Sequence, residues 1–147
     1  MNSRYILHIP HQVYVAMLDQ ARAELPNECC GILAGKLGAG VGTVSLWVPL
    51  VNDHANPTRR FHTQDRSMLA AERTLREADL DWLALYHSHP ASAAVPSATD
   101  LAENPYGDAR MNLIISLQAG QPDLRAWWLL PATFEEGKWE FAGDSES

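Results

Sequence analysis

At 147 residues the chain is long enough to bury a core of its own, and 46% hydrophobic with 20% charged residues is the balance of a globular protein, not a disordered one. The net charge of −7, with no basic run longer than Arg59-Arg60, would be repelled by phosphate backbones and sets nucleic acid aside as a partner. No apolar stretch approaches a membrane span, the N-terminus lacks a signal-peptide profile, and the only cysteines, Cys29 and Cys30, are adjacent, which suits no ordinary disulfide framework; the expectation is a cytoplasmic protein without a membrane partner.

Residues 4–9 (RYILHI) read as a first strand. Pro10 suits the first turn of a helix, where its missing N–H costs nothing. Val13, Met17, Ala21 and Leu25 recur at helical spacing, so residues 10–24 form an amphipathic helix that Pro26 ends. Residues 27–35 (NECCGILAG) read as a strand entered by an acid. Glu28 beside a run headed for burial is costly unless it sits at an exposed strand mouth or has a partner. Cys29 and Cys30 read as small core residues, since nothing local lowers a thiol pKa. Residues 36–42 are expected to be a flexible turn, whose glycines lack the Gly-Lys-Ser/Thr ending of a phosphate loop. Residues 43–51 form a β-rich strand with Pro49 at an edge or bulge, and 52–60 a loop. His54 and His62 stand singly in polar surroundings and read as solvent-facing. Arg59 and Arg60 read as a solvated pair able to dock a substrate carboxylate.

Residues 65–78 form a second amphipathic helix with Met68, Leu69, Leu75 and Ala78 as its apolar side. Residues 80–86 are a buried strand feeding residues 87–100, HSHPASAAVPSATD. A short helix after Asp100 ends before Asn104-Pro105. Residues 111–117, 124–130 and 133–141 read as strands, with a turn at 119–123 between the first two. Trp127, Trp128 and Trp139 read as packing or edge covering, and residues 143–147 as a loose polar tail. With no repeat and no linker, the whole chain reads as one α/β domain, a curved mixed sheet with helices packed against it.

The 87–100 stretch carries the chemistry. Side chains at i and i+2 of a strand share a face, so His87 and His89 continue the face of Leu83 and Leu85 and can reach one metal ion. Pro96-Ser97 reads as a helix start with Asp100 one turn in. Ser97-x-x-Asp100 also matches a capping box, and the two roles are compatible, since a helix start can place a ligand. Two imidazoles and one carboxylate on a divalent ion leave a fourth position open, the pattern of a catalytic rather than a structural zinc site.

HSHPASAAVPSATD resembles, without a gap, the metal motif of the JAMM (MPN-plus) zinc metallopeptidases, His-[Ser/Thr]-His-Pro-x6-Ser-x2-Asp. The segment Pro26-Asn-Glu28-Cys-Cys-Gly31-Ile-Leu33-Ala-Gly35 is similar to the upstream glutamate motif of the compact bacterial members, and the order of the two motifs also agrees. The resemblance implies a JAMM/MPN-like fold across the chain, a Zn²⁺ ion on His87, His89 and Asp100, a catalytic Glu28, and oxyanion support from Ser97. It further implies hydrolysis of an amide or isopeptide bond after the Gly-Gly end of a ubiquitin-like sulfur-carrier protein.

Other chemistries lack their patterns. There is no His-Glu-x-x-His and no Pro-Cys-x-x-Cys. A Ser-His-Asp triad can be drawn from Ser97 or Ser88 with His87 and Asp100, but no Gly-x-Ser-x-Gly elbow supports it. The remaining alternatives are a general peptidase without a ubiquitin-like partner and a non-catalytic MPN-type interaction module.

Overall fold

The computed structural model describes residues 4–143, so most of the expected loose tail, residues 144–147, lies outside the described residues. The first strand, β1 (Ile6–Ile9), runs into α1 (His11–Ala23). Pro10 is the N-cap of that helix, not part of its first turn, and its carbonyl accepts the N–H groups of Val13 and Tyr14. Val13, Met17 and Ala21 are buried as their spacing requires, while Leu25 is exposed.

β2 (Cys30–Gly38) and β3 (Val41–Leu50) pair antiparallel down to Gly38 and Val41. Residues 36–42 are therefore not a flexible turn. The reversal is Ala39-Gly40 alone, both at positive φ (54° and 75°), the backbone twist that two-residue hairpins require. The register slips by one residue between Ala34 and Gly35, and β1 pairs only with Val41–Thr43 of β3. Pro49 thus sits where its missing N–H faces no strand on the β1 side.

α2 (Asp65–Ala78) has the expected ends, but its buried stripe is Ala71 and Leu75 with Met68 packed beside them. Leu69 is 66% exposed, because it falls about 100° away from Met68 around the helix. The fourth strand, β4 (Asp81–His89), extends through both histidines. Leu33 pairs with Ala84 but Ala34 with Trp82, which makes Leu83 an extra residue that reverses the alternation. Leu83 packs with Ala84 and Tyr86 in the larger core, whereas Leu85 packs with Trp82 in the smaller one. The face shared with the histidines therefore begins at Leu85, not at Leu83.

α3 (Ala98–Ala102), β5 (Met111–Ser116) and β6 (Asp123–Leu129) follow as expected. Residues 133–141 are not one strand but two, β7 (Phe134–Glu136) and β8 (Trp139–Phe141), at opposite edges of the eight-stranded sheet β7-β6-β5-β4-β2-β3-β1-β8. Only Gly137 and Lys138 separate them, so the sheet must curl until its edges nearly meet. Gly137 N–H donates to Ala126 O of β6, Leu7 N–H donates to Lys138 O, and the Trp139 indole donates to Leu124 O. A Cβ on Gly137 would lie 2.9 Å from the Trp128 indole nitrogen, which is why the crossing point has no side chain.

The sheet is mixed: β1 runs parallel to β3 and β8, β4 parallel to β5, and the other pairs are antiparallel. α1 covers one face, over the larger core, and α2 the other. Cys29 and Cys30 point to opposite faces and are buried free thiols. Burial pushes the Cys29 thiol up to about 12, in keeping with a packing role. No described helix is long and apolar enough to cross a membrane.

Candidate metal centre

β4 delivers two imidazoles to one point at its C-terminal end. His87 and His89 are 2% and 4% exposed, and their Nε2 atoms lie 3.1 Å apart. The chain then leaves the sheet in a loop pinned at several places. His89 Nδ1 contacts Ala93 O at 2.7 Å, the Trp127 indole donates to Ala94 O, and Ser116 Oγ donates to Ser92 O. Trp127 is thus more than core packing: it anchors the loop that returns the third residue of the triad.

That residue arrives at a capped helix start. Ser97 is the N-cap of α3; Asp100 N–H donates to Ser97 Oγ at 3.0 Å and Ser97 N–H donates to Asp100 Oδ2 at 2.8 Å. The cap holds the carboxylate against the histidines, with Oδ1 3.3 Å from His87 Nε2 and Oδ2 3.1 Å from His89 Nε2. Burial opposes the charge on Asp100, but the neighbouring His87, hydrogen bonds with both rings and the Ser97 N–H outweigh it, holding the carboxyl far below the usual carboxylate range.

Two imidazole nitrogens 3.1 Å apart, each with one oxygen of the Asp100 carboxylate at 3.1–3.3 Å, fit one small cation. Bond lengths of about 2.0–2.1 Å in a tetrahedral zinc site put neighbouring ligand atoms about 3.3 Å apart. Without a cation, two imidazole nitrogens and a carboxylate converge on a single buried point. The Ala93 carbonyl at His89 Nδ1 favours the tautomer that leaves Nε2 as a lone pair, the usual outer partner of a metal-ligating histidine. Phe61 stacks on His87 with ring centroids 4.5 Å apart and closes the site from the other side.

Glu28 joins through strand pairing. Cys30 pairs with His87, and Ser88 N–H donates to Cys29 O, so continuing the antiparallel register brings Glu28 opposite His89. Glu28 is 4% exposed, and its Oε1 has no hydrogen-bond partner among the described residues. Burial lifts its carboxyl to about 8, with His89 pulling it down and Asp100 pushing it up, both from close by. Of the two placements that the sequence left open to Glu28, the structure gives the buried one beside the histidines and not the exposed strand mouth.

Sequence reasoning gave no sign of Asn52, which clamps the 52–62 loop over this corner. Its amide donates to Glu28 O at 2.9 Å and Arg60 O at 3.0 Å, and its carbonyl accepts from His54 and His62 N–H at 3.1 Å each. His62 is exposed and paired with Asp53 at 2.7 Å, whereas His54 is half-buried, its Nδ1 accepting from Asn56 N–H at 2.9 Å. Neither joins the metal cluster. Arg60 is not a freely solvated partner of Arg59; its Nη1 lies 3.4 Å from Glu103 Oε1 at the rim of a cavity beside Asp100.

Residues 10–130 match the family described as prokaryotic homologs of the JAB domain. The chain belongs to that family. It is the JAMM-type grouping that the two motifs resemble, and the match spans Glu28 and the whole 87–100 segment. Among its relatives, the CysO-cysteine peptidase of Mycobacterium tuberculosis is 31% identical over 90% of this chain and 88% of its own. The desampylase of Haloferax volcanii is 36% identical over 56% of this chain and 58% of its own. The solution structure of protein DSY2949 from Desulfitobacterium hafniense superposes with a TM-score of 0.86 at 28% identity, covering 95% of this chain and 94% of the other. The curled mixed sheet is thus the JAB fold, and the expected hydrolase class agrees with relatives named for peptide or conjugate cleavage.

Proposed function

We propose that the chain is a zinc metallopeptidase that hydrolyses the amide bond after the C-terminal Gly-Gly of a ubiquitin-like sulfur-carrier protein. The observation that carries the reading is the joint geometry of two features. Two imidazole nitrogens stand 3.1 Å apart, each with an oxygen of the Asp100 carboxylate at 3.1–3.3 Å, and a buried, unpartnered carboxylate oxygen belongs to the residue in register with His89. His87, His89 and Asp100 would hold the ion. Zinc bound there would supply Lewis acidity, lowering the pKa of water and polarising the scissile carbonyl.

The chain's own residues do the rest. Glu28 takes a proton from the attacking water and returns it to the leaving amine, general base and then general acid. A carboxyl held at about 8 before any cation is present moves toward ionisation when positive charge arrives, which readies it as a base. Ser97 Oγ accepts from Asp100 N–H, so its own O–H stays available to donate to the carbonyl oxygen as charge develops there. The carrier is taken from the kinship with a CysO-cysteine peptidase and a desampylase, and the cytoplasm from the two buried free thiols.

The test is mass spectrometry of a carrier extended beyond Gly-Gly, incubated with zinc-loaded wild type, Glu28→Gln and His89→Ala. We expect Glu28→Gln to keep its zinc by elemental analysis while turnover falls about 10²–10⁴-fold. His89→Ala loses both. Wild-type activity retained in Glu28→Gln overturns the mechanism, and cleavage of unrelated peptides but no carrier overturns the substrate.

A further inference from the structure

Ser88 stands between the two histidines and takes no part in their cluster. Alternation along β4 turns its side chain to the opposite face, over the larger core with Cys29 and Tyr86, and it is fully buried. The nucleophile role that a Ser-His-Asp triad would give it is therefore closed: its hydroxyl faces away from His87 and Asp100.

The ladder between β2 and β4 shows what the hydroxyl does instead. Gly31 pairs with Tyr86 and Cys30 with His87, so the next pair is Cys29 with Ser88. In an antiparallel ladder, the two residues of a hydrogen-bonded pair exchange two backbone bonds. Only one is made here, from Ser88 N–H to Cys29 O at 3.1 Å. The other is diverted. Cys29 N–H donates to Ser88 Oγ at 2.8 Å and not to Ser88 O, and regular β2 starts one residue later, at Cys30.

That N–H belongs to the peptide unit joining Glu28 to Cys29. The other end of the unit, Glu28 O, accepts from the Asn52 amide at 2.9 Å. One peptide plane is thus gripped at both ends by side chains, and Glu28 N–H just before it is held by Pro57 O at 2.7 Å. Exchanging a carbonyl acceptor for a hydroxyl changes little in hydrogen-bond energy. What it changes is direction. A ladder bond lies near the plane of the sheet, whereas a hydroxyl standing on one face draws the N–H out of that plane. The peptide turns, ψ of Glu28 changes, and so does the direction in which its side chain leaves the strand.

We propose that Ser88 is a positioning residue for Glu28: its hydroxyl takes the ladder bond of Cys29 N–H, turning the Glu28–Cys29 peptide so that the carboxylate is directed at the point where His87, His89 and Asp100 converge. The inference rests on the hydrolysis proposed above and concerns the geometry of its base. Ser88→Ala frees the N–H to fall back on the backbone carbonyl of the same position, which restores a regular ladder and turns the carboxylate away.

The experiment compares zinc-loaded wild type, Ser88→Ala, Ser88→Thr, Glu28→Gln and the double variant Ser88→Ala/Glu28→Gln on a carrier extended beyond Gly-Gly. Val13→Ala, a core truncation in α1, controls for general loosening. Ser88→Ala should keep its zinc by elemental analysis and lose about 10–100-fold in kcat with KM within about twofold, as for a misplaced reacting group. Ser88→Thr, which retains a hydroxyl, and Val13→Ala should both stay within about threefold of wild type. The double variant should be no slower than Glu28→Gln, since a residue that acts through Glu28 then has nothing left to position. Ser88→Val, isosteric with Ser88→Thr but without its hydroxyl, supplies the same comparison if Ser88→Ala does not fold. Independently of turnover, the pseudocontact shift of the Glu28 carboxyl carbon in cobalt-loaded protein reports its distance and direction from the ion. That shift should change in Ser88→Ala and return in Ser88→Thr.

An unchanged cobalt shift in Ser88→Ala, or a double variant slowed by the product of the two single losses, overturns the positioning role and leaves the hydrolysis standing. A wild type that cleaves no carrier while the cobalt shift responds as expected overturns the hydrolysis and leaves the positioning role. Neither cleavage nor a response overturns both.

Discussion

Glu28, as the proposed base, is the residue on which stability and activity would pull in opposite directions. It is buried with Oε1 unpartnered, and its carboxyl is raised from 4.5 to about 8, first by burial. A folded-state pKa above the unfolded one means that the folded protein binds the extra proton between the two values. The contribution is therefore fully present below 4.5 and lost as pH rises through about 8. Metal-free wild type should lose stability relative to metal-free Glu28→Gln across that window, by about 1–3 kcal/mol, the usual cost of an uncompensated buried polar group. Urea unfolding of both proteins at about pH 5 and about pH 9 measures it; parallel behaviour would show that the carboxylate is solvated after all. Of the residues around it, His87, His89, Ser97 and Asp100 were legible from spacing alone. Asn52 was not, because a single asparagine carries no local signal of the carbonyls that it will face.

At the scale of elements, the site is a junction of one strand end, one helix cap and one loop. The capping box does two jobs, satisfying the first N–H groups of α3 and holding Asp100 on the histidines. The helix is only five residues long, so its position comes from these contacts and not from its own propensity. The 52–62 loop has little apolar burial of its own and depends on Asn52, whose side chain meets Glu28, Arg60, His54 and His62 through their backbones. Asn52→Ala leaves these groups to water or to nothing, and we expect about 1–3 kcal/mol of lost stability. Turnover should fall as well, with zinc content unchanged, since no ligand is touched. Thermal melts, activity and elemental analysis on one preparation decide it, and zinc loss equal to that of His89→Ala would show that the loop supports the ligands directly.

For the whole molecule, the proposed binding point joins β4 to Asp100 in α3, eleven residues after His89, and β2 brings Glu28 to it by pairing with β4. An ion that binds only the folded arrangement stabilises it by mass action, about 2.7 kcal/mol at a hundredfold excess over Kd. At about 2–4 °C per kcal/mol for a chain of this size, chelation should lower the wild-type Tm by roughly 5–10 °C. His89→Ala should show no chelator effect. An unchanged wild-type Tm with zinc demonstrably removed would mean that the triad is preorganised without need of the ion.

What the sequence by itself determined is what neighbours along the chain decide. Alternation places His87 and His89 on one face, Ser97-x-x-Asp100 builds its own cap, and helical spacing buries Val13, Met17 and Ala21. These patterns depend on separations of two to four residues, where backbone geometry alone sets direction. Tertiary structure decided everything that depends on which strand lies beside which. The antiparallel pairing of β2 with β4 set Glu28 against His89, and the parallel pairing of β4 with β5 put Ile114 beside His87 and Asn112 beside Leu85. An unpaired residue at Leu83 moved the start of the histidine face, and the curl of the sheet sent β7 and β8 to opposite edges across two residues. Periodicity says which way a side chain points, whereas register and closure come from the best packing of all the strands together, which no local stretch encodes.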